Sequence, residues 1–187
     1  AGVSLGGADC GNYSITSTAT TTADITAKAL SLSGFTAANK VYDGLTTATI
    51  SSAGSLVGLV TGDTVTVSNA GASFANKNAA TGKTVTLAGV SLGGADGGNY
   101  SITSTATTTA DITAKALTLS GFAAANKVYD GLTTATISSA GSLVGVVTGD
   151  TVTVSNAGAS FANKSAATGK TVTMAGLSLS GADAGNY

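Results

Sequence analysis

The sequence predicts an all-β protein made of tandem small β-sandwich repeats of 87 residues, immunoglobulin-like or β-grasp-like, in an elongated rod. Three observations carry this. Shifting the chain by 87 positions lays residues 14–100 on residues 101–187 with 79 of 87 identical, and residues 1–13 open a third, partial copy. A fixed period of this kind signals an array of recurring units. Apolar residues alternate along Thr- and Val-rich stretches instead of recurring at three and four. Gly- and Asn-rich segments then punctuate those stretches at short intervals.

Taken in chain order, residues 20–34 (TTTADITAKALSLSG) place Ile25 and Ala27 on one face and Leu30 and Leu32 on the other. The change of parity predicts a repeat boundary near Lys28 and Ala29, with one extended segment leaving one core and entering the next. The expected organisation is therefore residues 1–28 as the last strands of a preceding repeat, 29–115 as a complete repeat, and 116–187 as a second repeat lacking its final strand or strands.

Residues 63–68 (DTVTVS) predict a strand with Val65 and Val67 inward and Thr64 and Thr66 in water. Residues 83–92 (KTVTLAGVSL) begin likewise with Val85 and Leu87, after which the inward set moves to Val90 and Leu92. That shift beside Gly89 predicts a β-bulge in mid-strand. The second copy repeats it with Val172 and Met174, then Leu177 and Leu179. Turns are expected at Asp43-Gly44, Gly62-Asp63, Asn69 to Gly71, Thr81-Gly82 and Gly93 to Asn99. A parallel β-helix is the alternative fold, suggested by TVTV at Thr64 and TVTL at Thr84, but their spacing does not continue along the unit.

Composition narrows the function. Charged residues form 9% of the chain, all Asp or Lys, with a net charge of −1. Such a surface has no cluster of cations to gather nucleic acid or anionic lipid, so neither is expected as a partner. Apolar runs fall far short of the ~20 residues that cross a bilayer, so no membrane insertion by this segment is expected. With no His, no Glu and a single Cys, nucleophilic triads and transition-metal sites lack their parts. Enzymatic activity, catalytic residues, cofactors and metals are not expected.

Four motifs run in fixed order through the unit: AANKVYDGLTTAT, TGDTVTV, FANKNAATGKTVT and GADGGNYSI. Together they resemble the YDG-type tandem repeat of very large bacterial surface proteins, including filamentous-haemagglutinin-like adhesins and relatives carrying MBG repeats. The resemblance covers the whole 87-residue unit. It implies an all-β, extracellular, stalk-forming domain displayed on the bacterial cell surface, and it supplies no binding site.

The YDG motif, Tyr42, Asp43 and Gly44 with its copy Tyr129, Asp130 and Gly131, reads as structural. A Tyr beside Asp-Gly packs its ring on the core while its hydroxyl pins a turn. Asp9 with Asn12, Asp96 with Asn99, and Asp183 with Asn186 offer oxygens in Gly-rich loops, but each loop supplies too few for calcium, which takes six to eight. Lys40, Lys77, Asn39, Asn76 and Asp43 hold the parts of a Lys–Asn isopeptide crosslink, and FANK and AANK read equally as polar strand ends. The Thr-rich TSTATTTADITA stretch reads as an exposed strand face.

The function expected from this is a structural spacer that projects a distant functional region from the cell. The alternative is a repeated low-affinity adhesive module for a glycan or protein, its binding multiplied by copy number. Neighbouring repeats of the same array are the expected partners. Because residues 14–28 carry a spare copy of a segment that the second repeat lacks, head-to-tail self-association by strand donation is also expected, and Cys10 offers a covalent link between chains.

Overall fold

The computed structural model describes residues 3–16, 19–102 and 105–187. Residues 3–16 and 19–27 contain one 3-10 turn, Cys10–Asn12, and no strand. The strands of a preceding repeat expected in 1–28 are thus not formed among the described residues. An isolated strand has nothing to satisfy its backbone or cover its apolar face, and Ile25 is fully exposed.

Ten strands build the first repeat: β1 (Lys28–Ala37), β2 (Lys40–Val41), β3 (Thr47–Ala48), β4 (Ile50–Val57), β5 (Thr66–Ser68), β6 (Gly71–Phe74), β7 (Ala80–Ala88), β8 (Ser91–Gly93), β9 (Tyr100–Ile102) and β10 (Thr107–Thr113). They form a three-stranded sheet, β4-β1-β9, a five-stranded sheet, β2-β10-β7-β6-β3, and a ribbon, β5-β8. Phe35 from the first sheet meets Phe74, Val85, Leu87, Ala110 and Ile112 from the second in one buried cluster, so the repeat is a sandwich. Most strand pairs are antiparallel; β1 with β9 and β10 with β2 are parallel. Thr64 and Thr84 do not begin stacked rungs: Val67 pairs with Leu92 in the ribbon, while Val85 pairs with Phe74 in the large sheet. The β-helix alternative is therefore overturned.

The alternation read from the sequence places Val85 and Leu87 in the core at 0% and 2% exposure. Two readings of glycine are corrected. At Gly89 the strand does not continue through a bulge. It ends at Ala88, and the chain turns at a φ of 60° to enter the ribbon as β8. A Cβ on Gly89 would stand 2.7 Å from Ala70 Cβ, so the crossing needs glycine. Thr81-Gly82, read as a turn, lies within β7. There Ala110 pairs with Lys83 and Ile112 with Ala80, so three steps on one strand oppose two on the other, which is a bulge. Turn and bulge both call for positive φ, and local sequence does not separate them.

The second repeat has β11 (Thr118–Ala124), β12 (Thr134–Ala135), β13 (Ile137–Val144), β14 (Thr153–Ser155), β15 (Gly158–Phe161), β16 (Val172–Ala175) and β17 (Ser178–Ser180). They pair as β11-β13, β12-β15-β16 and β14-β17, in the registers of the first copy. Residues 127–128 and 167–170, equivalent to β2 and the start of β7, are not strands here. In the first repeat both are held by β10, inserted between them.

The Thr-rich stretch includes residues 17, 18, 103 and 104, which lie outside those described. Its described part at Thr107–Thr113 is an interior strand, not only an exposed face: Ala110 and Ile112 are buried while Thr107, Thr109 and Thr113 face water.

Candidate functional site

Among the described residues, an extended polar cluster joins the two repeats. Strand β2 ends at Val41, and the Tyr42 amide donates to Thr113 O at 2.9 Å, tying the residue to the end of β10. From β10 the chain passes through residues 114–117 into the second repeat. Tyr42 therefore stands where one sandwich gives way to the next, and its side chain is 1% exposed.

The Tyr42 hydroxyl does not pin a turn of its own repeat. It donates to Asp150 Oδ2 in the second repeat at 2.7 Å. The same oxygen accepts from the Tyr187 hydroxyl at 2.6 Å, and the Val147 amide donates to the Tyr187 hydroxyl at 2.8 Å. Asp150 Oδ1 takes Lys77 Nζ of the first repeat at 3.0 Å, and Asp183 Oδ1 lies 3.8 Å from the same amine. The Tyr42 and Tyr187 rings meet edge to face, centroids 5.5 Å apart, with the Lys77 amine 5.9 Å from the Tyr42 centroid.

The Asp150 side chain is 2% exposed, and a carboxylate this enclosed needs partners for its charge. The Tyr187 hydroxyl contributes most; burial opposes it, and the Tyr42 hydroxyl and Lys77 amine add to it. The carboxyl is held at about 2. Lys77 is pushed up, chiefly by its bond to Asp150. Burial raises the Tyr42 and Tyr187 phenols, and the hydrogen bonds to Asp150 raise them further. All four groups thus settle in the protonation states that bind them together.

Backbone contacts finish the joint. Asn186, 5% exposed, accepts the Ala79 amide at its side-chain oxygen and the Lys115 amide at its carbonyl, both at 2.9 Å. Val147 and Tyr187 pack on the core cluster of the first repeat. Gly44, with φ of 81°, lies against Val147: a Cβ there would come within 2.8 Å of Cγ1.

The two copies of the YDG motif separate its parts. In both, the Asp accepts the amide two residues on at 2.9 Å and the Lys three residues back, at 2.7 Å for Asp43 and 2.8 Å for Asp130. Burial works against the Asp43 carboxylate, but Lys40 and the Leu45 amide outweigh it and hold its carboxyl low; Lys127 does the same for Asp130. The turn is therefore local. The tyrosines differ: Tyr129 is 61% exposed, and a Cβ on Gly131 would touch nothing within 4 Å. Asp and Gly form the turn in either copy, whereas Tyr42 and Gly44 also meet the next repeat.

Asp150 and Tyr187 form a pair that each repeat owns, since Tyr100 likewise donates to Asp63 and accepts from Val60 N. Sequence reasoning missed this pair, and it considered Lys77 for a crosslink to Asn rather than for its bond to Asp150. The signal was present as an Asp and a Tyr 37 positions apart in both copies.

Of the loop residues considered for calcium, Asp96 and Asp183 each accept a backbone amide through Oδ2, from Thr64 and Thr151 at 2.8 and 2.9 Å. Lys40 and Asn39 do not meet as a crosslink requires. Lys40 bonds Asp43 and the Leu45 and Thr47 carbonyls, and Asn39 accepts the Asp111 amide. Asn76 accepts Lys83 rather than Lys77.

The model of the YDG domain family matches residues 26–110 and again 113–187. No curated protein and no solved structure matches the chain significantly.

Proposed function

We propose, from the premise that this chain belongs to the YDG domain family in two tandem copies, that it is a structural spacer. In this reading it is a stalk segment of a large bacterial cell-surface adhesin or fibre, extracellular, holding a functional region away from the cell. The observation that carries the reading is the convergence of Tyr42 and Lys77 of one repeat on Asp150 of the next. Side chains that the sequence motif makes recurrent are engaged in fixing one repeat on its neighbour, which is what a spacer of defined length requires. Stability in such arrays is the sum of unit and interface terms, so this joint gives the interface term a chemical identity.

Scattering from the chain and from longer arrays of the same repeat tests this. A maximum dimension that grows by a constant increment per repeat supports a spacer. Dimensions growing as a flexible chain, together with saturable glycan or protein binding abolished by one loop substitution, would replace it with the adhesive reading.

A further inference from the structure

We infer that Tyr42 and Tyr187 form an oxidative crosslinking site, at which hydrogen peroxide and a peroxidase-class oxidant join the two rings by a carbon–carbon bond and make the joint between repeats covalent. They are the only aromatic rings in contact among the described residues, with centroids 5.5 Å apart and planes at 78°. Both hydroxyls donate to Asp150 Oδ2, at 2.7 and 2.6 Å. The shared oxygen therefore draws together the hydroxyl ends of the rings, where the ortho carbons that couple in phenol oxidation also lie. Planes far from parallel suit the product, since a biaryl with ortho hydroxyls is twisted about its central bond. Neither ring is free to turn away. Tyr42 is 1% exposed, while Tyr187 packs on the core of the first repeat and its hydroxyl also accepts the Val147 amide at 2.8 Å. Holding two reacting groups side by side makes their coupling an intramolecular step.

The surroundings also provide for the proton. A phenol that loses an electron becomes a strong acid, and each hydroxyl here already points its hydrogen at a carboxylate. Electron and proton leave together, the electron to the oxidant and the proton to Asp150 Oδ2. A carboxyl held at about 2 then releases the proton to water at neutral pH. Lys77, which caps the Tyr42 ring, is 40% exposed, so solvent and a small oxidant lie one side chain away. Repeated on the second ring, the step leaves two neighbouring phenoxyl radicals. These couple at their ortho carbons, and the two ortho hydrogens move to the oxygens and restore both phenols. In balance, two tyrosines and one hydrogen peroxide give one dityrosine and two waters.

The test is oxidation of the full chain in dilute solution by a small haem peptide and hydrogen peroxide, with the exposed Cys10 alkylated beforehand. A parallel run with N-acetyltyrosine, which couples to exposed tyrosines such as Tyr13 and Tyr129, shows that the oxidant acts. The expected product is a monomer that has lost two hydrogens, shows dityrosine fluorescence, and links the lysine-cleavage peptides 41–77 and 171–187. Tyr42→Phe abolishes that link, and Tyr129→Phe leaves its yield unchanged. A chain whose exposed tyrosines take up N-acetyltyrosine while Tyr42 and Tyr187 stay unlinked overturns the proposal. So does an equal yield of intrachain dityrosine in Tyr42→Phe. Neither result bears on the spacer reading, which scattering tests separately.

Discussion

Tyr42 and Tyr187, from different repeats, donate to one and the same oxygen, Asp150 Oδ2, at 2.7 and 2.6 Å. Tyr187 belongs to the repeat that owns Asp150, whereas Tyr42 arrives from 108 residues upstream. Removing only the Tyr42 hydroxyl therefore isolates the bond between repeats. Tyr42→Phe is expected to lower stability by about 1.5 kcal/mol, as a hydrogen bond to a charged group is lost. Tyr129→Phe, at the exposed copy of the motif, changes it by less than ~0.5 kcal/mol. Thermal melts of both variants check this, and equal effects would mean that Tyr42 acts only within its own repeat.

Acid should loosen the joint in a defined window. The Asp150 carboxyl, held at about 2 against an ordinary value of 3.8, favours the assembled state while ionised. Its contribution is complete above the ordinary value and fades as pH falls through about 2. Asp150→Asn is expected to flatten that part of the stability profile. Denaturant melts of parent and variant between neutral and strongly acidic pH make the comparison.

Alkali acts in the opposite sense. The Tyr42 and Tyr187 phenols are raised above the ordinary 10.0, so their contribution is complete below that value and is lost as pH rises through the raised ones. Ultraviolet titration should show Tyr42 and Tyr187 ionising late, together with Tyr100, which its bond to Asp63 raises, and Asp150→Asn should bring Tyr42 and Tyr187 down while leaving Tyr100 unmoved.

Glycine at the two YDG turns separates backbone strain from packing. Gly44 and Gly131 share φ near 80°, so alanine at either costs about 1–2 kcal/mol in left-handed strain. Only at Gly44 does the new Cβ also strike Val147. Gly44→Ala is expected to melt lower than Gly131→Ala, and matched melting points would remove Val147 from the joint.

The identical TTTADIT segments offer a further internal control. Ile112→Ala empties a site that is 1% exposed and should cost about 2–5 kcal/mol. Ile25→Ala, in dilute solution, should change the melt by less than ~0.5 kcal/mol.

What the sequence made legible was whatever local periodicity encodes. Val85 and Leu87 announced a core strand because each side chain's face follows from its neighbours'. The change of parity near Lys28 rests on the same rule; in the second copy, β10 buries Ile112 in the first repeat and β11 begins the second. Gly82 and Gly89 misled because a residue needing positive φ looks alike in a turn, a bulge and a strand crossing. The partnership of Tyr42 with Asp150 was not legible, since nothing near either residue records a contact made between repeats. The composition of YDG gave the turn, and only the three-dimensional neighbour explains why its first letter is tyrosine.

The direct passage from β10 into β11 fixes how the array would respond to being pulled. A load handed from one repeat to the next enters lengthwise through β10, which is laced to β7 on one side and β2 on the other. Hydrogen bonds lying across the strand direction are then loaded in shear, so the ladder must rupture together instead of unzipping rung by rung.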